Sequence, residues 1–586
     1  MRVNHIEVEP TASPTAGIQE AINALPAGGG TVVIPAGRHL VRRSIQLRDG
    51  VTLRGERAAT VLTRCAPVAF NLTQTCGENA DTIEVDSAAG LQAGDEVSIF
   101  DVTQRSWHGR QFVIHAIEGT TLRGEIIAGN PERTYAPRHG GAGRHDFPML
   151  HVDASDAVTI ESLTIHGGDH GYTPADDAGF TCAAVHTATA TDLRIDRVTV
   201  KGWPADGISV QRGRGATVTH CLVEDCLSHG LHPGTHLTES VWTNNISRRN
   251  RAGFYFCVGV HHAVVTDNIF VDNRGCGIDN LGDPDRDNIV QGNIIARNGL
   301  YGIEGRGALH NVITDNVVQD NSQRCPGMFP GIYLRDHKGN IVRGNRCRDT
   351  QDNPTQGRGL AAEDELGDNL IADNLVTDAN VPPPPEPGRA ALRRADGALE
   401  LDGKLDEPAW RKADVLPANA RIEDGGPAAV STAFRVLFDD AHLHVGVRCD
   451  EPHVDRIFDR LSKRGENVWR ENAVEMVITP PGDKAPTYHL SVNTLATVFE
   501  KRHEGKQLVD WPAGAKAAVH RGRDFWSAEI AVPLAAFAVE RIATGDVWRC
   551  NFSRHRITVR PHEIAAWSPT YKGIYRPARF GWLTAE

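Results

Sequence analysis

The sequence predicts an all-β protein: a right-handed parallel β-helix with an N-terminal helix cap, then a C-terminal antiparallel β-sandwich. Three observations predict it. A phrase of glycine plus an apolar residue recurs at Gly207, Gly230, Gly253, Gly277, Gly302, Gly331 and Gly359, at spacings of 23, 23, 24, 25, 29 and 28 residues. An asparagine phrase keeps step with it at Asn245, Asn268, Asn293, Asn316, Asn345 and Asn374. The proline run "VPPPPEPGR" (381–389) then ends the repeat, and longer alternating strands follow.

Each repeat holds short β-rich runs between Gly, Asn and Asp, and none carries a helical stripe. A unit this short cannot bury its own apolar face and must stack on copies of itself. Strands stacked at a rung spacing of about 4.8 Å make a parallel β-helix. The repeated Asn suits a turn, and its amide can hydrogen-bond along the axis. Before the repeat, "TAGIQEAINALPAGGGTVVIPAGRHLV" (15–41) reads as an amphipathic helix with Ile18, Ala21, Ile22 and Leu25, then a Gly turn and a strand. This stretch resembles the entry of the pectate-lyase-like superfamily, which implies a helix plugging the open end of the first coil. "VTLRGE" (51–56) is an early rung, residues 80–128 are a small β insertion, and rungs resume near residue 150. The expected domains are 1–380, a linker at 381–394, and 395–586.

Net charge is −12, which argues against a nucleic-acid partner. No run of 18 apolar residues exists, so no span of a membrane by a helix is expected. The start "MRVNHIEVEPTASP" has no apolar signal region, so the chain as written reads as cytoplasmic, or as secreted with its signal removed. The 11 cysteines show no CxxC pair, and Cys221, Cys257 and Cys276 fall at rung positions where a small buried hydrophobe fits.

Side chains alternate along a strand. The apolar residue after each rung glycine (Ile208, Leu231, Phe254, Ile278, Ile303, Ile332, Leu360) points inward. The next residue points out, giving His186, Ser209, His232, Tyr255, Asp279, Glu304, Tyr333 and Ala361 as an external ladder. Two positions further on, the outward set includes Cys257, Arg306, Arg335 and Glu363. Asp279 and Glu304, one rung apart, are the candidate acid/base pair, because neighbouring carboxylates push one another's ionisation apart. His232 and Tyr255 are further catalytic candidates. His186, Tyr333, Arg306, Arg335 and Glu363 are candidate sugar contacts.

"SHGLHPGTH" (228–236) carries His229, His232 and His236, but a strand turns these to different sides, so no metal site is expected. "DPDRDN" (283–288) lacks the spacing of an EF-hand and reads as a turn, with calcium the one cofactor left open.

After the prolines come "ELDGKLDEPAWRKADVL" (400–416), "FRVLFDDAHLHVGVRCDEP" (434–452), "ENAVEMVITPPG" (472–482), "WSAEIAVPLAAF" (526–537) and "RPARFGWL" (576–583). These phrases resemble the family-nine carbohydrate-binding modules. The resemblance implies a β-sandwich that grips sugar between indoles, with Trp469, Trp511 and Trp567 as candidates from loop-like surroundings. Trp410, Trp526 and Trp582 sit in strand-like phrases and are expected in the core.

The expected function is cleavage of glycosidic bonds in a polysaccharide or oligosaccharide, with a slight preference for hydrolysis by Asp279 and Glu304. The alternatives are β-elimination by a His or Tyr base with Arg neutralising a uronate, sugar epimerisation on the same fold, and a non-catalytic glycan-binding adhesin. Oligomeric state is not legible in the sequence.

Overall fold

The computed structural model describes residues 4–101, 109–129, 132–363, 368–382, 385–482, 485–504, 507–558, 562–571 and 573–586. They divide into two units, one running to Pro384 and the other beginning at Pro385, with residues 138–140 counted in the second.

The first unit is the parallel β-helix. One sheet carries ten strands, one per coil: β1 (Ile45–Leu47), β2 (Leu150–Asp153), β3 (Val185–Ala188), β4 (Ile208–Gln211), β5 (Leu231–Gly234), β6 (Phe254–Tyr255), β7 (Ile278–Gly282), β8 (Ile303–Arg306), β9 (Ile332–Arg335) and β10 (Leu360–Glu363). The ladder is in register through Leu150, Val185, Ile208, Leu231, Phe254 and Ile278. These side chains are fully buried, as the alternation predicts. Two further strands complete each coil, and their inner residues stack likewise: Val218 on Trp242 and Val265, Val223 on Ser247 and Phe270.

The asparagines bind the coils along the axis. Asn268 Nδ2 donates to Asn293 Oδ1 at 3.0 Å, and Asn293 Nδ2 donates to Asn316 Oδ1 at 3.0 Å. A second column runs Asn250, Asn273, Asn298 and Asn321. Every one of these amides is buried, so each needs the partners it has.

The cap is α1 (Ile18–Ala24), shorter than the pattern suggested, with Ile18, Ala21 and Ile22 buried. It protects the edge of β1. Gln19 Oε1 accepts from the Gln46 N–H at 2.7 Å, and Gln19 Nε2 donates to the Gln46 carbonyl at 3.2 Å. An exposed strand edge is thereby satisfied by one side chain.

The insertion is larger than residues 80–128. Its antiparallel sheet also takes in Ala69–Asn71 and Ala142–His145, and it encloses its own core of Phe70, Val97, Ile99, Phe112, Ile114 and Tyr135.

The second unit is built of antiparallel strands around Phe434, Val445, Met476, Leu490, Trp526, Trp548 and Phe552. Its first strand, Arg389–Arg394, begins inside the expected linker. It pairs in parallel with Gly581–Ala585 and with Thr432–Phe438, joining the two sheets of the sandwich into one.

Candidate functional site

The outward ladder exists, but several of its members are covered. His186, Ser209, His232, Glu304 and Tyr333 are each 7% exposed or less. The cover over His186 and His232 comes from a segment outside the repeat, and that over Tyr333 from the repeat itself. The turn Phe180–Cys182 sets the Phe180 ring 6.0 Å from His186 and 5.9 Å from His232. Tyr301 stacks on Tyr333 at 5.1 Å. Tyr255 and Asp279 are the catalytic candidates that remain half-exposed. They stand directly opposite one another on β6 and β7.

The Asp279–Glu304 pairing expected from the rung spacing is altered by a bulge. Ile278 pairs with Ile303, but Leu281 pairs with Gly305, so Asp279 and Asn280 together face Glu304. Asn280 takes the left-handed backbone (φ 58) that allows this, and its amide donates to the Phe256 carbonyl at 2.8 Å. Glu304 is buried and receives Arg306 Nε at 2.9 Å. Arg306 is therefore the charge partner of Glu304, in place of a second carboxylate. Arg335 lies 3.4 Å from Asp336. The Glu363 side chain lies outside the described residues.

Behind Tyr255 is a group the sequence reading missed. Asp206 is fully buried. His232 Nδ1 donates to its Oδ2 at 2.6 Å, and the His229 N–H donates to its Oδ1 at 2.9 Å, with His229 Nδ1 at 3.2 Å. His229 and His232 thus converge on one carboxylate, although the strand pattern suggested that they diverge. The ring of Tyr255 stacks on His229 at 4.0 Å and meets His232 edge-on at 5.1 Å. Burial alone would raise the Asp206 carboxyl. The two imidazoles outweigh it and hold the group well below the usual range. Burial also opposes charge on His232, but Asp206 outweighs it and pushes the imidazole up to about 9. Burial, with the charges of Cys257 and Asp279, raises the Tyr255 phenol above its ordinary range.

Asp206, His229 and His232 bring one ligand atom each within 4.8 Å of the others. Both carboxylate oxygens are already engaged by imidazole and backbone hydrogens, so the trio is complete as a hydrogen-bonded unit. In the 283–288 turn, the buried Asp285 carboxylate accepts from the Val260 and Gly282 N–H groups, and burial pushes it up to about 6.

Beside this group a groove of about 1140 Å³ opens over the first coils. His151, His186, Glu96, Gln111, Arg212 and Phe180 are among its lining residues. His151 and His186 stack with their Nδ1 atoms 3.2 Å apart. Burial and the neighbouring His151 push His186 down to about 3. Burial pushes the Glu96 carboxyl up to about 7.

In the second unit, Trp511 is in the core, its Nε1 donating to the Ala536 carbonyl at 2.9 Å and its ring against Tyr488 and Phe537. It is not available as a sugar platform, because the loop-like phrase around it folds under the sheet. Trp567 packs edgewise on the backbone of Gly388 and Gly581 and is half-buried. Trp469 is half-buried beside Arg470. Trp410 and Trp526 are core, as expected. Trp582 is half-buried rather than core, with the Arg389 and Arg549 guanidinium groups 4.2 and 5.1 Å from its ring centroid. An aromatic the sequence reading passed over, Tyr575, is 41% exposed and stacks on His503 at 3.6 Å.

Two family models match the chain. Residues 180–346 match "Periplasmic copper-binding protein (NosD)", and residues 401–563 match "Carbohydrate family 9 binding domain-like". No curated protein matches. Among solved structures, a family-nine carbohydrate-binding module from Caldicellulosiruptor kristjanssonii in complex with cellotriose is 14% identical over 34% of this chain and 94% of its own, with a TM-score of 0.27. The A-module of the Azotobacter vinelandii mannuronan C-5 epimerase AlgE4 is 18% identical over 62% of this chain and 93% of its own, with a TM-score of 0.35. The enzymatically active domain of tailspike protein 2 from bacteriophage CBA120 is 10% identical over 99% of this chain and 78% of its own, with a TM-score of 0.41. The chain is a right-handed parallel β-helix followed by a domain like the family-nine carbohydrate-binding modules.

Proposed function

We propose that the protein is a carbohydrate-active enzyme that holds a uronate-containing polysaccharide over the outer face at β6 and β7 and cleaves it by β-elimination at Tyr255 and Asp279. The observation that carries this reading is the Tyr255–Asp279 pair: opposed on adjacent coils, both reaching the surface, with the His232–Asp206 ion pair beneath. The Asp279 carboxylate takes the proton α to the uronate carboxylate. The electron pair left behind forms the ring double bond, and the glycosidic C–O bond breaks. Tyr255 gives its proton to the departing oxygen, a role suited to a phenol that holds its proton. The proton on Asp279 then returns to the phenolate opposite. The exposed Arg251 and the half-exposed Arg306 supply positive charge for the uronate. Hydrolysis by Asp279 and Glu304 is the weaker reading, because Glu304 is buried against Arg306 and a bulge breaks its register with Asp279. The C-terminal domain would hold the same glycan, with Trp469 and Tyr575 as its accessible rings.

A panel of uronate and neutral polysaccharides decides the matter. Elimination gives the ultraviolet absorbance of an unsaturated uronate, and Tyr255→Phe or Asp279→Asn lowers its rate by about 100-fold or more. New reducing ends without unsaturation would restore hydrolysis. Retention of a labelled glycan with no change in its structure would leave a binding protein.

A further inference from the structure

Cys257 differs from the other cysteines. The remaining ten are buried, whereas Cys257 is half-exposed. It lies two residues beyond Tyr255 on the outer face, on the coil next to His232. Its N–H donates to the Pro233 carbonyl at 3.1 Å, and its carbonyl accepts from the Thr235 N–H at 3.1 Å, which fixes it against the β5 coil. Asp206 occupies Nδ1 of His232. The other nitrogen, Nε2, is buried and has no hydrogen bond of ordinary geometry among the described residues. After Asp206, the Cys257 thiol is the group that favours charge on that imidazole. Burial opposes ionisation of the thiol, but His232 outweighs it and lowers Cys257 below the ordinary thiol range, whereas burial pushes Cys221, Cys226 and Cys347 up to about 12. The next N–H in the chain, that of Val258, has no acceptor among the described residues.

We propose that Cys257, His232 and Asp206 form a nucleophile–base–orienter triad that hydrolyses esters of small acyl groups. This activity goes beyond the elimination, since the atom attacked is an acyl carbonyl. The Cys257 thiolate adds to the carbonyl carbon, and the carbonyl electron pair moves to oxygen, with the Val258 N–H as its donor. Collapse expels the alcohol oxygen, which takes the proton from His232 Nε2 and leaves a thioester. Water then gives a proton to neutral His232 and adds to the thioester. The thiolate leaves, and a carboxylic acid is released. Asp206 keeps the imidazole oriented throughout. The charged or titratable groups facing the pair are Asp206, His229, His186, Tyr255 and Asp285.

Two measurements on the full chain test this, neither using a uronate. The first is peptide-resolved alkylation by iodoacetamide. Cys257 is expected to react at pH 6 about tenfold or more faster than in His232→Gln, in which burial is left to raise the thiol. The second is hydrolysis of p-nitrophenyl acetate. An acetyl adduct on Cys257 is expected after acid quench, and Cys257→Ala should reduce release to the uncatalysed background. The proposal is overturned by an unchanged rate in Cys257→Ala, by the absence of the adduct, by alkylation no faster than in His232→Gln, or by retention of one equivalent of copper or zinc that shields Cys257 until it is chelated away.

Discussion

Replacing Asp206 with asparagine removes the carboxylate that keeps a buried imidazole charged. His232 is pushed from its ordinary 6.5 to about 9. At about 1.36 kcal/mol per unit, that difference of roughly 2.5 units is about 3 kcal/mol of preference for the protonated form. Without Asp206 the influence of Cys257 remains, but burial is the larger and lowers the imidazole. The variant should therefore carry a neutral His232 at pH 7. A group whose folded value is raised contributes stability fully below the unfolded value and loses it as pH rises through the folded one. The wild type should thus hold this contribution below pH 6.5 and shed it towards pH 9, and Asp206→Asn should lack it throughout. Urea midpoints of both chains, measured in steps from pH 6 to pH 10, read the difference directly, and titrations that do not involve His232 or Cys257 cancel between them. The gap should be largest at pH 6 and should shrink by about 3 kcal/mol by pH 10. A gap of constant size across that range would show that Asp206 supports the coil only by packing and hydrogen bonding, and the ion-pair account of the site would fail.

Other outcomes follow from the same structure. Asn293→Ala deletes an amide that donates to Val265 O and Asn316 Oδ1 and accepts from the Asn268 N–H and Nδ2. With buried partners stranded on both sides, denaturant unfolding should show a loss of about 3 kcal/mol. Glu96→Gln should stabilise progressively as pH rises. The wild-type carboxyl is raised from 4.5 to about 7, so its contribution is present below 4.5 and is lost as pH climbs through 7. The difference between the two chains should grow by about 3 kcal/mol over that interval in the same assay. Trp469→Ala should weaken retention on a glycan affinity column while leaving the unfolding midpoint unchanged, whereas Trp511→Ala should cost about 3–5 kcal/mol of stability, because its ring is core.

The repeat made the coil legible because stacking imposes one rule on every rung. An inner position must be apolar, a turn asparagine must meet the next one, and a glycine must precede the inward residue. That is why the buried column from Val185 to Ile332 and the Asn268–Asn293–Asn316 ladder follow from spacing alone. The site obeyed no such rule. Asp206 occupies the residue before a rung glycine, as do His229 and Tyr301. Aligning the repeats one position earlier would have set these three in one column, with Ala252, Cys276, Pro330 and Arg358. The bulge at Asn280 left only a weak trace, since one asparagine among many does not announce a left-handed residue inside a strand. The cover over His186 and His232 left none. Phe180 reaches them from a non-repeating segment, and a period cannot place what lies outside it.

These departures share a physical cause. In a regular coil an outward side chain is solvated and ionises as it would in water. A buried imidazolium, a thiol held near it and a phenol kept protonated all require the outer face to be locally dry. Over His232 part of that cover comes from a segment that breaks the repeat, at Phe180. A Phe180→Ala variant would reopen that face. With burial relieved, the His232–Asp206 pair would be screened by water and its pH-dependent contribution would shrink, while the coil, held by its inner columns and asparagines, would keep its fold.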